Sequence, residues 1–130
     1  MKIERGHIIR FVPAVLIAIG IAVASLWEYP QVPKTVALHD KIVHGLMYAI
    51  LAFSVMAAFL SIHCARIKQY IFTCVGVTFY GALMEVLQHY CTLSRSGDID
   101  DLYADFFGAL LGLLLVAIIQ MAKCQMTNHQ

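Results

Sequence analysis

Three short groups of polar and ionisable residues stand out in a chain that has few others. Asp40, Lys41, His44 and Tyr48 form the first, Glu85, Gln88 and His89 the second, and Arg95, Asp101 and Asp105 the third. On a helix, Asp40, His44 and Tyr48 fall at i, i+4 and i+8 and share one side, with Lys41 flanking it. Glu85, Gln88 and His89 fall at i, i+3 and i+4, again on one side. Gly81 lies one turn before Glu85 and makes room for a neighbouring backbone. Carboxylates, an imidazole and a guanidinium in such patterns suit proton transfer, the grip of an anionic headgroup, or the binding of a hard cation.

The segments that must position these groups are strongly apolar. Of 130 residues, 61% are hydrophobic and 13% charged, against roughly a quarter charged in an ordinary soluble domain. A soluble chain this short has no core large enough for so much apolar surface. The apolar residues also come in long unbroken runs. Four of these, residues 8–26, 42–62, 70–90 and 102–121, approach the roughly 20 residues that a membrane-crossing helix needs. Pro30 and Pro33 break the first connection, His63, Arg66 and Lys68 the second, and the polar run of residues 94–98 the third. Connections this short force neighbouring helices to run antiparallel. The expected fold is therefore all-α, a four-helix transmembrane bundle forming a single membrane domain over residues 1–130. The first run has a rival reading, because Lys2, Arg5 and Arg10 followed by an apolar stretch and Ala22-Val23-Ala24 suit a cleaved secretory signal. Its length and the interfacial pair Trp27 and Tyr29 favour a retained helix.

Orientation follows from the positive residues, which concentrate on the cytoplasmic side of membranes. Lys2, Arg5, Arg10, Arg66, Lys68 and Lys123, six of the nine, fall on the two tails and the second connection. Both termini are expected to be cytoplasmic in a bacterial inner membrane crossed several times. Glu28, Asp40, Glu85, Asp98, Asp100, Asp101 and Asp105 then all fall at or near the outer ends of helices. The three polar groups share one membrane edge. Below the third group, Asp101, Asp105, Gly108 and Gly112 follow i, i+4, i+7 and i+11, acidic above and small beneath, and the G-x-x-x-G step permits close helix packing.

Here the residues resemble the VanZ-like family. The carriers are D-K-x-x-H-x-x-x-Y (Asp40, Lys41, His44, Tyr48), G-x-x-x-E-x-x-Q (Gly81, Glu85, Gln88), and Arg95 with Asp101, Asp105, Gly108 and Gly112. The resemblance spans approximately residues 40–115. Asp105 departs from it, standing where the family usually has Asn. The resemblance implies a small bacterial membrane protein, linked through the family's namesake to susceptibility to the lipoglycopeptide teicoplanin. It supplies no reaction.

A net charge of +1 without a basic run argues against a nucleic-acid partner. Cys64, Cys74, Cys91 and Cys124 form no CxxC and no zinc-like spacing, and read as structural. Glu28, Asp98 and Asp100 read as ordinary interfacial or solvated acids. Glu85 is harder to set aside, because it lies inside an apolar helix and needs a partner such as Arg95, Lys41 or His44. The leading functional expectation is binding of membrane lipid, a lipid-linked cell-wall intermediate or a lipoglycopeptide, with Arg95, Lys41 and His44 on the phosphate. An enzyme acting on a lipid headgroup is the alternative, with Glu85 or Asp101 as base and His44 as acid, although no nucleophile motif accompanies it. A third possibility is a scaffold whose buried ionic network only locks helices together. A metal centre from His44, Glu85, His89, Asp101 and Asp105 ranks last, because Lys41 and Arg95 would repel a cation, and no cofactor is expected.

Overall fold

A computed structural model describes residues 8–27, 37–60, 66–92 and 99–127. Its long elements are four helices, α1 (Val12–Leu26), α2 (Ala37–Leu60), α3 (Ile67–Cys91) and α4 (Ile99–Thr127). No strand occurs among the described residues. At about 1.5 Å per residue, α2 to α4 are roughly 36–44 Å long and exceed a hydrocarbon core of about 30 Å. Within them His39–Leu60, Ile67–Cys91 and Ile99–Lys123 are long and apolar enough to cross a membrane.

The helices outrun the apolar runs because lipid contact, unlike helix formation, ends where polar side chains begin. Asp40 and Lys41 open α2 ahead of its apolar stretch, and Asp100 and Asp101 stand in the first turn of α4, where acids complement the helix dipole. At the start of α3 the Gln69 side chain accepts a 2.8 Å hydrogen bond from the Arg66 amide, satisfying one donor that the helix leaves open.

The first element differs from expectation. The run 8–26 is not one helix: Arg10 and Phe11 form a turn, and α1 begins at Val12 with Pro13 in its first turn. Proline suits that position because its missing N–H would have no partner there. The remaining 15 residues cover only about 22 Å. Three long apolar helices and one short one replace four equal spans.

Hydrogen bonds and close approaches fix the directions. Tyr80 Oη donates to the Ala18 carbonyl (2.6 Å) and Gln88 Nε2 to the Ser25 carbonyl (3.0 Å), so α1 and α3 run the same way. Gly45 meets Gly108 and Ala49 meets Gly112, so α2 and α4 run together as well. Tyr70 Oη donates to Gln120 Oε1 (3.0 Å) while Gly81 lies against Asp105, which sets α3 antiparallel to α4. The result is an alternating bundle in which α2 and α4 make the most extensive contact, and α1 packs on α2 and α3.

The α2–α4 seam is built from absence of side chain. A Cβ placed on Gly108 would fall 2.8 Å from the Gly45 Cα, and one on Gly112 would fall 3.2 Å from the Ala49 Cα. Both would come closer still to the facing carbonyl carbons and oxygens. Lipid tails are as apolar as leucine, so helices in a bilayer associate through such packing instead of through hydrophobic burial. Ala52, Met56, Ala109, Leu113 and Val116 continue the buried core. The exterior is apolar: Phe72, Val75, Phe79, Phe107, Leu111 and Leu114 are all more than half exposed. In water this surface would far exceed the patches that soluble monomers tolerate. The chain is a membrane protein.

Candidate functional site

The helix starts of α2 and α4 and the helix end of α3 meet at one end of the bundle, the polar end. His44 projects from α2 about 10 Å past Ala37, one residue before the Gly45 contact that brings α4 close. That contact sets Asp105 beside it. The His44 Nδ1 lies 3.2 Å from Asp105 Oδ1, and the ring nitrogen facing a carboxylate is the donor. His44 is almost fully buried and Asp105 is 0% exposed.

Glu85 joins from α3. One ligand atom each from His44, Glu85 and Asp105 lies within 4.8 Å of the other two, and all three side chains are buried. A second group shares the same histidine: Asp40, His44 and Asp101 also offer atoms within 4.8 Å of one another, nearer the helix starts, with both acids half-buried. His44 is thus the hinge between a buried and a half-buried acidic pair.

Tyr48 sits one turn below His44, its ring nearly parallel to the imidazole at 6.5 Å between centroids. It is 1% exposed. Among the described residues, the Tyr48 hydroxyl and Asp105 Oδ2 are buried without a hydrogen-bond partner. Gly81 makes the space they occupy: a Cβ there would lie 2.7 Å from Asp105 Oδ2 and 3.2 Å from Tyr48 Cε1. The sequence reading of Gly81 as room for a neighbour therefore has a specific object, a carboxylate and a tyrosine ring.

Other expected site residues separate. Gln88 is buried but turns to α1, where it ties the Ser25 carbonyl, so its role is in joining helices. Lys41 is engaged with Asp100 in a half-exposed ion pair. Asp100, read from sequence as a solvated acid, is the residue that reading missed. The spacing carried no signal for it, because Lys41 and Asp100 lie 59 positions apart. Gly108 and Gly112 do the packing expected of them, but their partners Gly45 and Ala49 were missed, although the small-x-x-x-small step was there to be read. Arg95 and Asp98 lie outside the described residues, and so does the expected contact of Arg95 with Glu85 or Asp101.

Beside the cluster, a cleft of about 420 Å³ lies between α3 and α4, lined by Ala82, Glu85, Val86, His89, Tyr90, Ile99 and Leu102. Its walls are mostly apolar, and Glu85 and His89 are its ionisable groups. Glu85 therefore faces both the cleft and the buried cluster. His89 is exposed and packs edge-on against Tyr90.

A family model described as VanZ/LLP1 matches residues 3–120. No curated protein and no solved structure matches the chain. The family match extends past the motif-bearing residues 40–115 at both ends and takes in α1. Since it covers nearly the whole sequence, the chain belongs to the VanZ/LLP1 family.

Proposed function

We propose that this protein binds an envelope lipid or a lipid-linked ligand at the outer face of the bacterial cytoplasmic membrane. The observation that carries this reading is the apolar-walled cleft between α3 and α4 next to the buried polar cluster. A lipid presents the same pairing, a chain that prefers apolar walls and a headgroup that needs polar partners. Val86, Tyr90 and Ile99 line the cleft and are themselves exposed on the bundle surface, where a chain can enter sideways from the bilayer. With Lys41 engaged by Asp100, the charge for a phosphate falls to Arg95, four positions before the start of α4 in sequence. Shielding or sequestering a lipid-linked cell-wall intermediate, or capturing the lipid arm of a glycopeptide, would connect the site to teicoplanin-type susceptibility.

Lipid-resolved mass spectrometry of the purified protein tests the reading. A polyprenyl phosphate or lipid-linked precursor should co-purify and should be lost when Val86→Trp fills the cleft. Bulk phospholipid alone, unchanged by that substitution, would overturn it. The orientation is part of the proposal, with both termini cytoplasmic and α1 completing a fourth crossing. In a cysteine-free background, Ser96→Cys should react with an impermeant reagent from outside, and Arg66→Cys only after permeabilisation. The reverse pattern would put the polar end on the cytoplasmic side.

A further inference from the structure

We propose that His44, Glu85 and Asp105 form a binding site for a divalent first-row transition cation such as zinc, held between α2, α3 and α4. One nitrogen and two carboxylate donors come from three different helices, with ligand atoms within 4.8 Å of one another. Metal–ligand bonds of about 2.0–2.2 Å set donor atoms roughly 3–3.5 Å apart. His44 Nδ1 and Asp105 Oδ1, 3.2 Å apart, already meet this once a cation displaces the proton they share, and the third donor, within 4.8 Å of both, has at most about 1.5 Å to close. Bundle cores hold metals in this way, with carboxylates and histidines projecting inward from facing helices.

A second observation points to an occupant. Asp105 Oδ2 is buried at 0% exposure and has no hydrogen-bond partner among the described residues, and neither has the Tyr48 hydroxyl next to it. A buried carboxylate oxygen whose lone pairs accept no hydrogen bond is costly in a medium without water. A cation would satisfy it, and the Tyr48 hydroxyl could then serve a metal-bound water. Gly81 keeps the position open, since any larger residue would fill the space at Asp105 Oδ2. Against such a site the sequence set repulsion by Arg95, which lies outside the described residues, and by the ammonium of Lys41. That ammonium is instead held by Asp100 at the exposed rim, while Asp40 and Asp101 on the same side of His44 add negative charge. Mixed imidazole and carboxylate donors suit zinc or manganese better than calcium, which takes oxygens alone. Three protein ligands also leave a coordination position for water or a ligand atom.

The inference goes beyond the lipid reading and does not need it, because the metal is read directly. The full chain, purified in detergent and stripped with chelator, is titrated with Zn²⁺, and with Co²⁺ for its visible ligand-field bands. One saturable equivalent is expected, with Co²⁺ bands of nitrogen and oxygen ligation and a raised unfolding temperature. Asp105→Asn keeps the acceptor for His44 and preserves the shape, so it should stay folded yet bind more weakly by more than the roughly 10–100-fold typical of losing an indirect metal partner. His44→Ala should abolish the bands, while His89→Ala should leave them unchanged. Absence of a saturable equivalent in the wild type would overturn the site. So would full binding by folded Asp105→Asn, or loss of binding on His89→Ala, which would locate the metal at the exposed histidine.

Discussion

The two ends of the bundle are held together by different means. Away from the polar end, α2 and α4 continue through Ala52, Met56, Leu113 and Val116, and Tyr70–Gln120 is a polar tie between α3 and α4. At the polar end, the Tyr48 hydroxyl and Asp105 Oδ2 are buried with no hydrogen-bond partner among the described residues, and five acids crowd one histidine and one lysine. The apolar half shows that this fold does not need buried charge to pack its helices. Where a bundle can be closed with alanine and methionine, closure does not require a buried His–Asp–Glu group. Buried ion pairs are weak sources of stability in any case.

Breaking the seam that both ends share should have the largest effect. Gly108→Leu would drive a side chain into the Gly45 backbone, a clash expected to cost about 3 kcal/mol or more, the upper range for overpacking. Membrane abundance and thermal unfolding in detergent should both fall. Gly20→Leu, where nothing lies within 4 Å of the added Cβ, should leave both unchanged. Equal tolerance of the two would mean that the α2–α4 approach is looser than described.

The next test divides scaffold from function. Glu85→Leu alone removes one member of a buried ionic group and should cost several kcal/mol, on the order of the 3–5 seen when a buried pair is broken. Replacing Glu85 and Arg95 together by leucine should restore abundance but not lipid binding. Arg95→Lys should be intermediate in binding, because lysine keeps the charge and loses the planar fork that suits phosphate. Full lipid binding by the folded double variant would reduce Glu85 and Arg95 to scaffold.

Smaller effects sharpen the contrast. Tyr80→Phe removes the hydroxyl that ties α3 to the Ala18 carbonyl. It should lower stability by about 0.6 kcal/mol, the average for interhelical hydrogen bonds in membranes, and loosen α1 without changing the polar cluster. Greater protease access between α1 and α2, with wild-type lipid binding, is the expected readout. Smallest of all, Asp105→Asn moves the chain toward the residue usual at this position in the family. It keeps an oxygen for His44 and should change membrane abundance by less than a measurable margin, while weakening metal binding well beyond the roughly 10–100-fold typical of losing an indirect metal partner. A marked loss of folded protein would show that the Asp105 charge itself holds the polar end together.

Hydropathy run length carries most of this fold into the sequence, because a helix in lipid must be apolar for the width of the membrane and the chain can be read against that width. Residues 42–60, 70–90 and 102–121 fall within α2, α3 and α4, and the last two residues of the first run lie outside the described residues. Helical spacing also put His44 with Tyr48, and Asp101 with Asp105, on common faces. The shortness of α1 was concealed, because Pro13 and the turn before it do not interrupt an apolar count. Only the tertiary structure decided which faces meet. The Gly45–Gly108 approach rotates α4 so that Asp105, and not Asp101, lies deepest beside His44, and it sends Gln88 away to α1. Spacing along one helix is fixed by its own geometry, whereas rotation about its axis is set by the small residues of its neighbours, and those contacts join positions some 60 residues apart.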